Sequence, residues 1–294
     1  MKFSGVWIPL VTPFLDGEID YESLVSLVKH YAGQGVAGLV PLATTGEIPT
    51  IADDEYFQVL EKTLEAVDGR LPVVAGVSGN DTRRVAAKLR ELEKYPLAGT
   101  LVPCPYFNRP DQRGILEHFK VLAAASKLPI LVYNIPYRTG RNIENRTTHQ
   151  LASIPLVRGI KDACGDIRQS MELLLSPPAD FSILTGEDLL YFDTLCLGGD
   201  GGILASAHIA TAKFVGVHEA IRANDVAKAR GLWQRLAPLI QALFEEPNPA
   251  PIKYCLKKMM LIRSDEVRLP LTPISEALKV KLDRLLLSGL KDLP

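Results

Sequence analysis

An apolar, strand-like run, Val157-Arg158-Gly159-Ile160-Lys161, ends on a lysine, the residue type that can attack a carbonyl carbon when it is kept uncharged. An apolar pocket disfavours the ammonium form, lowers the pKa and frees the amine lone pair. Lys62, Lys88, Lys94 and Lys228 instead fall among polar helical positions and read as solvated. The plainer reading of Lys161 is an ion pair with Asp162 or Asp166 at a loop edge. A second run ends Leu131-Val132-Tyr133-Asn134-Ile135-Pro136. Its phenol, Tyr133, could move a proton if it faces the lysine. Five residues on, Arg138 lies in a loop bounded by Pro136 and Gly140, and a planar guanidinium suits a carboxylate. The plainer readings are a tyrosine in a packed layer and a surface arginine. A third run ends Pro41-Leu42-Ala43-Thr44-Thr45-Gly46-Glu47. Successive backbone N–H groups at such a turn can hold a carboxylate, and the Thr44 hydroxyl can relay a proton. An ordinary turn satisfied by its own Thr and Glu side chains is the alternative, and Glu47 reads as structural. Together these groups suit a class I aldolase or lyase acting on a 2-oxo acid. A protonated imine is an electron sink that requires no metal.

Those three runs belong to a series of eight: Val6–Val11, Ala37–Leu42, Leu71–Val77, Ala98–Pro103, Pro129–Tyr133, Val157–Lys161, Phe181–Thr185 and Gly201–Leu204. Each is nearly all apolar, as strands covered on both faces are. Amphipathic helical patterns fill the intervals. Tyr21, Leu24, Val25, Val28, Tyr31 and Ala32 form one face at helical spacing, with Asp20 placed to cap it and Gly33 and Gly35 to end it. Tyr56, Leu60, Leu64 and Val67 repeat the pattern before Gly69. Alternating strands and helices in this number predict an α/β fold, a (β/α)8 TIM barrel, whose active site sits where strands end. An open doubly wound sheet would carry a Gly-rich loop after its first strand, whereas Pro9-Leu10-Val11-Thr12-Pro13 stands there. Beyond the eighth unit only helices are predicted: Val226–Phe244 with a kink at Pro238, then, past a breaker at residues 245–251, stretches near Ile252–Met260 and Ile274–Leu287. The predicted division is a barrel over residues 1–223 and a C-terminal helical region over 224–294.

The 294 residues are 47% hydrophobic and 23% charged, with a formal net charge of −1. That balance excludes a disordered chain and gives no long-range field for nucleic acid or an anionic membrane. Four scattered cysteines and five scattered histidines lack the paired spacing of a zinc site or disulfide scaffold, so no metal is expected. No cleavable leader or long apolar span is legible, and a soluble, cytoplasmic protein is expected.

Thr44-Thr45-Gly46-Glu47, Tyr133-Asn134-Ile135-Pro136 and Gly159-Ile160-Lys161-Asp162-Ala163 resemble the signatures of the dihydrodipicolinate synthase / N-acetylneuraminate lyase family. The resemblance spans essentially the whole chain and includes Pro105-Tyr106-Phe107-Asn108-Arg109-Pro110, Gly198–Ile203 and Asn248-Pro249-Ala250-Pro251-Ile252-Lys253. It implies a homotetramer built from dimers and no cofactor beyond a covalent imine between Lys161 and pyruvate. It also implies proton relay by Tyr133 through Thr44, the pyruvate carboxylate on Thr45, and backbone near Ile203 lining the pocket. Arg138 matches the synthases, where it binds the carboxylate of aspartate semialdehyde. The implied reaction condenses pyruvate with L-aspartate 4-semialdehyde to 4-hydroxy-tetrahydrodipicolinate, as in lysine biosynthesis. Phe107 departs from the pattern, standing where synthases carry a relay tyrosine that reaches in from the neighbouring subunit. That leaves a pyruvate aldolase for a sugar acid or another 2-oxo acid as the alternative. Arg84 likewise stands where lysine-inhibited synthases carry an acidic residue. An arginine repels an ammonium, so no feedback inhibition by lysine is expected.

Overall fold

The computed structural model describes residues 2–290. Its strands are β1 (Gly5–Ile8), β2 (Phe14–Leu15), β3 (Glu18–Ile19), β4 (Gly38–Leu39), β5 (Val74–Gly76), β6 (Gly99–Pro103), β7 (Ile130–Asn134), β8 (Val157–Asp162), β9 (Ser182–Thr185) and β10 (Gly201–Ile203). β2 and β3 form a small antiparallel hairpin. The other eight make one parallel sheet in the order β4-β1-β10-β9-β8-β7-β6-β5. A parallel bridge from Leu39 to Val73, with Gly76 N–H donating to Pro41 O at 2.9 Å, joins the two ends into a closed barrel. Each of the eight predicted runs overlaps one barrel strand, with β1, β7 and β8 reaching one residue beyond their runs, and the fold is the expected (β/α)8 barrel.

Around it lie α1 (Tyr21–Ala32), α2 (Asp53–Val67), α3 (Thr82–Leu92), α4 (Gln112–Ala125), α5 (Pro136–Thr139), α6 (Asn145–Ala152), α7 (Ile167–Leu175), α8 (Tyr191–Cys196) and α9 (Thr211–Arg222). Asp20 caps α1 by accepting from Ser23 N–H at 3.0 Å. The chain continues as α10 (Val226–Leu243), α11 (Ala250–Lys258) and α12 (Glu276–Leu290). α11 starts two residues earlier than predicted. Pro251 falls in its first turn, where a residue without an N–H breaks no helical hydrogen bond. The hairpin went unpredicted because two-residue strands carry no readable period.

Strand alternation sorts the core into two layers. Inward residues, including Phe3, Trp7, Leu101, Leu131, Leu184 and Ile203, fill the barrel. Outward residues pack under the helices, in a layer that also takes in Ile240, Ile252, Leu256 and Leu282 of the C-terminal helices. Gly159 on β8 faces inward. A Cβ there would stand 2.6 Å from Ser182 O and 2.8 Å from Leu131 Cδ2, so the missing side chain makes room for the neighbouring strand and for the leucine two residues before Tyr133.

Candidate active site

β7 and β8 pair in parallel with Tyr133 beside Lys161 and Asn134 beside Asp162. Because sides alternate, Tyr133 and Lys161 point into the barrel mouth, while Asn134 and Asp162 point out. The outer pair is tied down. Asn134 Nδ2 donates to Asp162 Oδ1 at 3.3 Å and to Asn142 Oδ1 at 3.0 Å, and Ser170 Oγ donates to Asp162 Oδ2 at 2.6 Å. Asp162 therefore serves the strand register and is not an ion-pair partner of Lys161.

Lys161 is 5% exposed, with Nζ 4.2 Å from the centroid of the Tyr133 ring. Among the described residues, no carboxylate comes within ion-pair distance of that nitrogen. Burial lowers its pKa to about 8, against the attraction of Asp188 and Glu187, and the Arg138 charge lowers it further. At pH 7 roughly one such amine in ten is neutral, against roughly one in three thousand at an ordinary lysine pKa. Burial also raises the Tyr133 phenol well above the usual range, so it stays protonated and can donate; Thr44 is its hydrogen-bonding neighbour.

Gly186, Glu187 and Asp188, which follow β9, also reach the site, although their types and spacing do not mark them in the sequence. A Cβ on Gly186 would stand 2.6 Å from Lys161 Cε, so this glycine makes the space in which the lysine stem lies. Asp188 is buried and accepts from Ser206 N–H at 2.6 Å. Burial raises the carboxyl pKa of both Asp188 and Glu187. The available signal was the end of the seventh run, Thr185-Gly186-Glu187-Asp188, which turns into the barrel mouth as the other strand ends do.

Thr45 is buried, and its Oγ1 accepts from Asn248 Nδ2 at 3.0 Å. Ile203 lies in the inner layer with Tyr133 and Ala163. Arg138 is exposed, its Nε donating to Tyr137 OH at 3.2 Å, and its charge is felt at both Lys161 and Tyr133. Phe107 is 90% exposed, far more than its neighbour Tyr106 at 39%.

A second buried lysine is Lys253, the last residue of the Asn248–Lys253 motif. It shows what a structural lysine looks like. Its Nζ lies 2.5 Å from Glu47 Oε1, donates to Glu266 O at 2.8 Å and sits over the Phe14 ring at 4.0 Å. Glu47, read as structural, is the buried partner of that pair. Burial also brings Lys253 down to about 8, but its charge is matched at contact distance. Lys161 has burial without such a match, as a carbonyl-attacking amine requires.

Among the described residues no group of His, Cys, Asp and Glu is arranged to hold a metal ion, and no helix is long and apolar enough to cross a membrane. The dihydrodipicolinate synthetase family model matches residues 2–288. The 4-hydroxy-tetrahydrodipicolinate synthase 2 of Clostridium acetobutylicum is 54% identical over 286 residues, covering 97% of this chain and all of that one. The crystal structure of dihydrodipicolinate synthase from Thermotoga maritima superposes with a TM-score of 0.95 at 38% identity, covering 98% of this chain and 99% of that one. A monomeric dihydrodipicolinate synthase variant superposes with a TM-score of 0.94 at 38% identity, over 98% of this chain and 97% of that one.

Proposed function

This chain belongs to the dihydrodipicolinate synthetase family, and we propose on that premise that it is a lyase making 4-hydroxy-tetrahydrodipicolinate from pyruvate and L-aspartate 4-semialdehyde. The observation that carries this reading is the buried, ion-pair-free Lys161 amine lying over the Tyr133 ring at the mouth of a closed barrel. The neutral amine attacks C2 of pyruvate. The resulting carbinolamine loses water to give an imine, with Tyr133 supplying the proton that leaves with the oxygen. Loss of a C3 proton gives the enamine, whose C3 attacks the aldehyde carbon as the aldehyde oxygen takes a proton. The amino group of the former semialdehyde then displaces Lys161 from C2, closing the ring and freeing the lysine. Thr45 and the neighbouring backbone hold the pyruvate carboxylate, Ile203 lines the pocket, and Arg138 holds the carboxylate of the semialdehyde. The imine is the only electron sink the route uses, so no cofactor is required.

Phe107 cannot pass a proton, so solvent reaches Thr44 and Tyr133 by water or through Tyr106. The chain works in the cytoplasm, a setting in keeping with its four free cysteines, and acts as a homotetramer built from dimers. Two features support that assembly: the outward projection of Phe107, and the exposed apolar side chains Ile167, Met171, Leu175 and Leu189. Sedimentation velocity tests it, with a single tetrameric species expected and a monomer at assay concentration contradicting it. A pyruvate-dependent assay across candidate aldehydes tests the reaction itself. Aspartate semialdehyde should give the highest kcat/KM, and preference for a sugar-derived aldehyde would overturn the assignment.

A further inference from the structure

We propose that Asn248, from the C-terminal helical region, is a positioning residue of the pyruvate site that aims the Thr45 hydroxyl at the substrate carboxylate. The inference rests on Thr45 holding that carboxylate. Asn248 Nδ2 donates to Thr45 Oγ1 at 3.0 Å across 203 residues of sequence. A hydroxyl offers one O–H donor and two lone pairs. With the amide occupying the acceptor side of Oγ1, the hydroxyl proton is left to a different acceptor. A buried threonine without that partner can turn its proton to a nearby backbone carbonyl instead. Asn248 Oδ1 is buried with no hydrogen-bond partner. A fold seldom leaves a buried acceptor unpaired, and when it does the group merits a reason. Here the amide is held through its donor side.

The segment carrying Asn248 is anchored to the loop it serves. Glu47, two residues beyond Thr45, is gripped from the C-terminal region at both oxygens. Lys253 Nζ lies 2.5 Å from Oε1, and Arg268 N–H donates to Oε2 at 3.0 Å. Arg268 also pairs with Glu55 at 2.6 Å and donates to Thr50 O at 2.9 Å. Non-glycine residues on either side of the threonines, Leu42 and Glu47, adopt left-handed backbone at φ 61° and 57°. Such geometry persists only where surrounding contacts over-determine it; at Glu47 the tail's Lys253 and Arg268 supply them, and at Leu42 the backbone of β5 at Gly76 packs close. The C-terminal region, through Lys253 of α11 and Arg268 of the segment between α11 and α12, thus grips the end of the Thr44-Thr45 loop, and Asn248 sets the direction of the Thr45 hydroxyl.

The test compares Asn248→Ala with Asn248→Asp, reading KM for pyruvate, kcat and thermal stability. Aspartate has nearly the same shape as asparagine but can only accept. It would draw the Thr45 proton out of the pocket and set a negative charge beside an anionic substrate. The expected result is a pyruvate KM raised about tenfold in Asn248→Ala and further in Asn248→Asp, with KM for the aldehyde unchanged. A space-filling role predicts the reverse order, with Asn248→Asp near wild type. That order, or an unchanged pyruvate KM in a folded Asn248→Ala, would overturn the inference. Borohydride trapping of pyruvate on the wild-type chain is the control that separates the two claims. Failure there sinks the underlying imine reading, whereas success there with unaffected variants sinks only the role of Asn248.

Discussion

Gly186→Ala should separate folding from chemistry. The alanine Cβ would stand 2.6 Å from Lys161 Cε, 3.0 Å from its Cγ and 3.2 Å from Ala163 Cβ. Carbon atoms pack at about 3.5–4.0 Å, so the lysine stem must move by roughly 1 Å. Gly186 is not among the glycines with left-handed backbone, so alanine brings no conformational strain of its own. The displaced group is the flexible end of a long side chain, which can yield without disturbing the barrel wall. Stability should therefore change little while the amine leaves its place over Tyr133. A misplacement of about 1 Å at a reacting atom costs on the order of a hundredfold in rate. The assay is borohydride trapping of the pyruvate adduct at several times, followed by mass spectrometry, alongside thermal denaturation. A suitable control is Gly231→Ala in α10, where a Cβ meets nothing within 4 Å; it should trap normally. Adduct formation within twofold of wild type in folded Gly186→Ala would show that Gly186 does not set the place of the Lys161 amine.

Arg138→Ala should raise KM for aspartate semialdehyde about tenfold to a hundredfold, the loss of a charged hydrogen bond, while leaving pyruvate trapping intact. Phe107→Tyr should raise turnover of that aldehyde, by up to ~10²-fold if it restores a proton relay; steady-state kcat at saturating substrates checks this. Lys161→Met should abolish trapping yet stabilise the fold. The Lys161 pKa falls from 10.5 to about 8 on folding, so below pH 8 the folded chain carries a poorly solvated charge. As pH rises from 8 towards 10.5 the unfolded chain binds the extra proton and wild-type stability recovers. The variant's excess melting temperature should therefore be at least about 2–4 °C at pH 7, equivalent to ~1 kcal/mol, and should shrink by pH 9.5 in calorimetry. Lysine should not inhibit at physiological levels. Arg84 lines the cleft that also holds Ile48, Asp53, Tyr56, Asn80 and Tyr106, and a micromolar inhibition constant would contradict this.

The barrel was legible because each strand is buried on both faces and so reads as an unbroken apolar run, and because helices between parallel strands show their period. Lys161 was legible for the same reason: a charge at the end of such a run has nowhere to point but the barrel mouth. What escaped was carried by pairing rather than pattern. Lys253 reads as an ordinary helical lysine until Glu47 is seen 2.5 Å away, and nothing local to Asn248 announces Thr45. Contacts across some 200 residues leave no trace in a periodicity. Glu187 and Asp188 escaped because two acids after a strand look like solvated loop residues; only the closure of the barrel turns them towards Lys161.

Lys161, and no other lysine, is proposed to carry the substrate. Reduction with borohydride in the presence of pyruvate, followed by peptide mapping, tests it most directly. One reduced pyruvyl group per chain is expected, on the peptide containing Lys161, and none when pyruvate is omitted. An unmodified Lys161, or an adduct on Lys253 instead, would contradict it.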